Sequence, residues 1–259
     1  YWIDLENPYV TLNNDYIESV WWSLKELYDK NLLYEAHKVV PFCPRCETPL
    51  SSHEVAQGYK KIKEESVVVK MRLESGENLL VWTTTPWTLP SNLAVAVNPD
   101  IDYAYVEERE IYIIAKELAS KLFENPNIIK TVKGKSLIGK KYTPLFNYFK
   151  GEGAFKVIGG DFVTVEDGTG IVHMAPAFGE VDYDACKKND LPFFQPVDET
   201  GKFTHEVPDF EGKFIKSADK EIIKRLEANN QLFVALPYEH DYPFCWRCDT
   251  PLMYYAIKS

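Results

Sequence analysis

Pro41-Phe-Cys-Pro-Arg-Cys-Glu-Thr-Pro-Leu50 is written again, nearly letter for letter, as Pro243-Phe-Cys-Trp-Arg-Cys-Asp-Thr-Pro-Leu252. Each phrase holds a Cys-x-x-Cys turn, and together they use four of the five cysteines: Cys43, Cys46, Cys245 and Cys248. Two such turns can grip opposite faces of one tetrahedral ion, and four thiolates leave no position for water or substrate. A structural Zn2+ is therefore the expected cofactor. It would pin the two knuckles side by side, making everything between them an excursion that starts and finishes at one point, as in a domain inserted into another protein. Local disulfides, 43–46 or 245–248, are the competing use of these thiols. The remaining cysteine, Cys186, sits in a polar run. Metal-type pairs with one thiol left over fit a reducing compartment, so a cytoplasmic location is expected.

The chain has 259 residues, 45% apolar and 14% aromatic, enough to bury a substantial core in one large domain or two smaller ones. No apolar run is long enough to span a bilayer, and the start lacks a basic region and an apolar signal core, so neither membrane insertion nor export is expected. A formal net charge of -10 argues against a general nucleic-acid binder. Local contacts stay open, because Lys130, Lys133, Lys135, Lys140 and Lys141 form one cluster and Lys60, Lys61 and Lys63 another. Solvated loops would show the same clusters.

Along the chain, Asp15-x-x-Glu18 has the form of a capping box. The apolar positions Ile17, Val20, Trp21, Leu24, Leu27 and Tyr28 then predict a helix to about Leu32, with one face for packing on the cysteine region. The texture then changes to short strands around 67–73, 78–84, 93–97, 101–106 and 111–115, with turn residues between them. A helix is expected near 116–123, strands at 155–158 and 170–174, helices after Glu180 and over 217–229, and a return strand at 232–236. The expected fold is α+β: a β-barrel-like mixed sheet core with peripheral helices, largely antiparallel, over residues 61–235. It stands on a zinc-knuckle stem formed by both chain ends, residues 1–60 plus 236–259.

Several familiar chemistries are missing. Gly134-Lys-Ser136 has Ile129 where a phosphate loop needs glycine; His53-Glu54 lacks the second histidine of a zincin helix; and no Gly-x-Ser-x-Gly elbow occurs. Hydrolysis by this chain would have to use a positioned water or the substrate itself.

Two phrases carry the chemistry that remains. Val81-Trp-Thr-Thr-Thr-Pro-Trp-Thr-Leu-Pro-Ser-Asn92 is a strand ending in three threonines, with prolines fixing a turn that can bring Trp87 and Asn92 back over the same place. Without further information it is equally a β-branched strand capped by a rigid turn. Asp167-Gly-Thr-Gly-Ile-Val-His-Met-Ala-Pro-Ala-Phe-Gly-Glu-Val-Asp-Tyr183 carries His173 on a short strand and turns so that Asp182 returns toward it. A satisfied core histidine and a helix-capping aspartate would look the same.

Taken together, the knuckles and the two phrases resemble the editing insertion, or connective-peptide domain, of class I aminoacyl-tRNA synthetases for branched aliphatic amino acids, over essentially the whole chain. Valyl and leucyl members typically have Thr-Thr-Arg-Pro where this chain has Thr83-Thr84-Thr85-Pro86, and lysine or methionine at His173; both departures point to the isoleucyl branch. The ATP-site signatures His-Ile-Gly-His and Lys-Met-Ser-Lys-Ser are absent. The resemblance implies an aminoacyl-tRNA deacylase that proofreads Val-tRNA(Ile), and possible substrates extend to valyl-adenylate, while isoleucine is excluded.

By the same resemblance, His173 forms the wall that limits size and Asp182 pairs with the α-ammonium. Thr84, Thr85 and Asn92 orient the ester, ribose hydroxyl and water. Trp82, Thr83, Trp87 and Ala175 shape the substrate walls. The implied partners are the 3' end of aminoacylated tRNA and the rest of the synthetase chain. Two alternatives are a catalytically inactive zinc-stapled module docking the tRNA acceptor end, and a valyl-type domain acting on threonyl esters.

Overall fold

The longest element pair among the described residues is an antiparallel ladder between β3 (Tyr59–Arg72) and β11 (Leu232–Pro243), in register from Tyr59 opposite Pro243 to Val68 opposite Val234, with a shift that then sets Val69 opposite Leu232. The first Cys-x-x-Cys turn lies just before β3 and the second just after β11. The ladder therefore delivers both knuckles to one place. Its outer half was not legible as strand. Residues 59–65 are mostly charged and mostly exposed, and a two-stranded ribbon open to water shows no apolar alternation. Gly58 closes the ladder: its carbonyl accepts from the Phe244 N–H at 2.9 Å, and a Cβ there would sit 1.9 Å from the Phe244 carbonyl oxygen.

The computed structural model describes residues 2–259. It divides into one compact unit spanning 39–257 and a smaller one of residues up to 38 with 258–259. In the smaller unit, α1 (Asn14–Asp29) begins after Asn13, without a side-chain cap, and Asp15 lies in the first turn, so the expected capping box is not formed. No residue of α1 is buried. A capping box occurs instead at Ser51 and Glu54, opening α2 (Ser52–Ala56) beside the first knuckle.

The larger unit is built on a nine-stranded mixed sheet. Its central path runs β8 (Ile128–Lys133), β6 (Asp102–Glu107), β7 (Ile111–Ala115), β4 (Asn78–Thr83), β10 (Ile171–Met174), β5 (Ala94–Val97) and β9 (Lys156–Gly159), with β3 paired to β4 and β11 paired to β3. The sheet curls into a half-barrel, in the α+β class expected. A three-stranded sheet of β1 (His37–Cys43), β2 (Thr48–Pro49) and β12 (Met253–Lys258) flanks the cysteines. The parallel pairs are the departure from a largely antiparallel reading: β4 with β7, β4 with β10, and β5 with β9. Such pairs join segments far apart in sequence and leave no hairpin signature.

Period-two geometry sorts the side chains. Along β5, Val95 and Val97 enter the main core while Ala94 and Ala96 enter a smaller one containing Ile158, Met174 and Cys186. On β10, Ile171 enters the main core, and His173, two residues on, follows it to that face. Of the helices, α3 (Ala119–Leu122) is a single turn and α4 (Glu180–Lys188) has Gly179 at its N-cap. Helix α5 (Ile215–Ala228) buries Ile215, Ala218, Ile222 and Leu226 at three- and four-residue steps, each large aliphatic contributing about 1.5–3 kcal/mol. Among the described residues no helix is long and apolar enough to cross a membrane.

Candidate active site

Because β10 runs parallel to β4, with Val172 opposite Trp82, both strands end at the same edge of the sheet. Thr83–Thr85 and His173–Ala175 thus emerge side by side. They line a cavity of about 360 Å³ whose walls include Trp82, Thr83, Thr84, Thr85, His173, Ala175 and Asp182. The expected strand-and-turn of the threonine phrase is a strand followed by a 3-10 helix, Pro86–Ser91, with Pro86 at its first position, where a missing N–H costs nothing.

His173 is 7% exposed, and both ring nitrogens are engaged. Asn92 Nδ2 lies 2.8 Å from His173 Nδ1, and Thr88 Oγ1 lies 3.0 Å from Nε2. The neighbouring bonds fix the direction of donation. Tyr142 donates its hydroxyl to Asn92 Oδ1 at 2.6 Å, and Asn92 Nδ2 also donates to the Ala94 carbonyl, so the amide presents a hydrogen to Nδ1. The ring proton is then on Nε2 and is donated to Thr88, whose hydroxyl donates onward to the Thr85 carbonyl at 2.8 Å. Burial pushes the His173 pKa down to about 4, so the imidazole is neutral at physiological pH. An imidazole with both nitrogens committed is a fixed wall and has no lone pair free to act as a base.

Asp182 enters from the first turn of α4. Its Oδ2 accepts the Ala175 N–H at 2.8 Å, which holds the carboxylate over the end of β10. Burial raises its pKa to about 6, and among the described residues no cation offsets that shift. Gly179 allows this approach, since a Cβ there would lie 2.7 Å from Asp182 Cγ. The threonine hydroxyls form their own set: Thr83 Oγ1 is 3.2 Å from Thr85 Oγ1 and accepts the Thr85 N–H, and Thr85 Oγ1 is 3.3 Å from Thr88 Oγ1.

Of the residues named from sequence, Asn92 and Trp87 do not line the cavity. Asn92 stands behind His173 and holds its ring; Trp87 is buried edge-on against Phe178, ring centroids 4.9 Å apart. Sequence reasoning missed Thr88, Tyr142 and Asp219. Thr88 lay within the quoted phrase and follows Thr85 by one 3-10 turn, a spacing that could have revealed it. Tyr142 and Asp219 arrive from distant segments and carry no local signal.

The four paired cysteines also meet. One sulfur from each lies within 4.8 Å of the others, with Cys43 and Cys248 Sγ 3.4 Å apart, against Leu50, Val55 and Leu252. All are free thiols, which removes the local disulfides. Burial pushes the Cys43 thiol up to about 12, so a thiolate there requires a cation beside it. The cluster could hold one metal ion through four sulfurs.

The sequence model of the tRNA synthetases class I (I, L, M and V) matches residues 1–235. The chain belongs to this class I synthetase family. It is similar to isoleucine–tRNA ligase of Clostridium tetani, 52% identical over the whole chain and 26% of that protein, and to that of Clostridium acetobutylicum, 52% identical over the whole chain and 25% of the relative. An isoleucine–tRNA ligase 2 of Bacillus anthracis is 48% identical, again over the whole chain and 26% of that protein. The chain thus spans about a quarter of the length of these synthetases.

Two solved structures share its fold. Against GlLeuRS-CP1 the TM-score is 0.51 at 16% identity, covering 66% of this chain and 98% of that one. Against the P. knowlesi cytosolic leucyl-tRNA synthetase editing domain it is 0.50 at 15% identity, covering 71% and 99%.

Proposed function

We propose that this class I synthetase chain is the editing domain of an isoleucyl-tRNA synthetase and hydrolyses the ester of valine on tRNA(Ile). The observation that carries the reading is one cavity that joins a threonine-rich strand end, a neutral immobilised His173 and the Asp182 carboxylate. The need for such a site follows from the first selection step. One methylene is worth only about 1–3 kcal/mol in an apolar pocket, the isoleucine–valine pair being the standard example of that limit.

In this reading the α-ammonium of the ester takes the charge partner's place beside Asp182, which anchors either amino acid. The cavity as a whole is larger than either side chain, so size exclusion acts locally, at the His173 wall. Thr83, Thr84 and Thr85 supply hydroxyls that orient the ester and the attacking water and face the developing oxyanion; Trp82 and Ala175 complete the walls, and Thr88, its proton committed to the Thr85 carbonyl, holds the His173 ring. With His173 committed on both nitrogens, catalysis rests on positioning and on fixed dipoles. Asn92 and Trp87 act from behind, through His173 and the 3-10 helix. Zn2+ is the metal that best suits Cys43, Cys46, Cys245 and Cys248, where it would act as a structural crosslink; the division proposed is a stem of residues 1–60 plus 236–259 and an editing core of 61–235. The partners are the aminoacylated 3' end of tRNA and the remainder of the synthetase.

The test is deacylation by the chain of Val-tRNA(Ile) and Ile-tRNA(Ile). The expected result is turnover of the valyl ester, sparing of the isoleucyl ester, and loss of turnover in Asp182→Ala. Undiminished hydrolysis in Asp182→Ala would remove the carboxylate anchor, and no valyl hydrolysis by the unaltered chain would remove the reading.

A further inference from the structure

The 3-10 helix Pro86–Ser91 is capped from outside. Thr85 occupies its N-cap position, the place where a threonine ordinarily turns its hydroxyl onto the first free N–H groups, yet it makes no such bond. Its hydroxyl is directed to Thr83 and Thr88, on the cavity side. The vacant function is filled across the fold. Asp219, on α5 and 132 positions away in sequence, accepts the Trp87 N–H on Oδ1 at 2.8 Å. Helix α5 packs directly on the 3-10 helix, with Ile215, Ala218, Ile222 and Leu226 anchored in the core beneath it.

From this arrangement we infer that Asp219 is a positioning residue of the editing site: it caps the 3-10 helix in place of Thr85, freeing the Thr85 hydroxyl for the cavity and holding Thr88 against His173. The chain of contacts is continuous. Asp219 fixes the Trp87 amide, and Thr88, the next residue, accepts the proton of His173 Nε2 and returns its own to the Thr85 carbonyl. Loss of the cap loosens the turn that carries Thr88, and the imidazole then loses the acceptor that sets its tautomer and its place in the wall. Asp219 touches no part of the cavity. Its removal therefore acts on discrimination more than on binding of the ammonium, which belongs to Asp182.

The activity arm of the test rests on the proposed editing function; the spectroscopic arm does not. In the chain with 15N-labelled histidine, long-range 15N–1H correlation reports the His173 tautomer, and hydrogen exchange reports the Trp87 amide. Asp219→Ala is expected to shift or broaden the Nε2–H signal of His173 and to speed Trp87 exchange about tenfold, the scale set by loss of a helix cap. The ratio of Val-tRNA to Ile-tRNA hydrolysis should fall by a similar factor. Asp219→Asn keeps an acceptor oxygen and should restore all three readouts. Should the alanine variant not fold, Asp219→Glu, which displaces the carboxylate by one methylene, takes its place with the same expectations. An unchanged His173 signal and unchanged Trp87 exchange in these variants would overturn the inference. An unaltered chain that hydrolyses no aminoacyl-tRNA would defeat the editing function alone, and the two spectroscopic readouts would still decide the role of Asp219.

Discussion

Asp182 and His173 are both driven by burial toward their neutral forms, with opposite consequences for pH. The Asp182 carboxyl titrates near 6 rather than at its ordinary 3.8, so the ammonium anchor we propose for it would exist only above that value. For Val-tRNA, kcat/KM should therefore fall as pH drops through about 6. The same shift carries a sign for stability. The unfolded carboxyl loses its proton first, so stability declines between pH 3.8 and 6 and the penalty persists above. Asp182→Asn should thus melt at a higher temperature than the parent at pH 8, the gap closing by pH 4, while losing hydrolysis; equal melting curves at pH 8 would contradict this. His173, titrating near 4, stays neutral from pH 5 upward, so the ratio of valyl to isoleucyl hydrolysis should be flat across pH 5.5 to 8. His173→Ala removes the wall and should expose Ile-tRNA to hydrolysis, which an aminoacyl-ester assay reads directly.

At the scale of elements, legibility followed burial and locality. Strands β4, β5, β6, β7 and β10 were readable because each is a short apolar or β-branched run set off by turn residues. Helix α5 was readable from the spacing of Ile222, Ile223 and Leu226. Strand β8 was not. It is an edge strand whose Ile128, Ile129 and Lys130 are exposed, so its sequence reads as a charged loop. Some lysines there serve the fold: Lys133 pairs with Asp102 at 2.9 Å, and Lys130 covers the Tyr105 ring. Within the candidate site, the residues named from the two phrases were largely brought together because each phrase is a strand end with its own turn. What remained hidden was the parallel register of β4 with β10, and the support from Tyr142 and Asp219, since long-range contacts leave no periodicity. The junction of β3 and β11 has its own test. Gly58→Ala would force a Cβ into the Phe244 carbonyl, so the variant should lose about 2 kcal/mol or more in urea unfolding.

For the whole molecule, the cysteine cluster gathers the chain that precedes β3 and the chain that follows β11 at one end of their ladder. On the proposed metal site, chelation, or loss of one thiolate in Cys43→Ser, should lower the melting temperature and release one metal equivalent, with Zn2+ the expected ion by atomic emission. Unchanged metal content in Cys43→Ser would show that the cluster is not the binding site.

The ladder also sets the difficulty of assembly. Pairing Tyr59 with Pro243 means closing a loop that contains most of the chain before any ladder contact rewards it, and such pairings are the slow ones in folding. An ion that gathers both cysteine turns early would close that loop in advance. The strands would then search for their register as neighbours, so refolding in the presence of zinc should be faster as well as more complete.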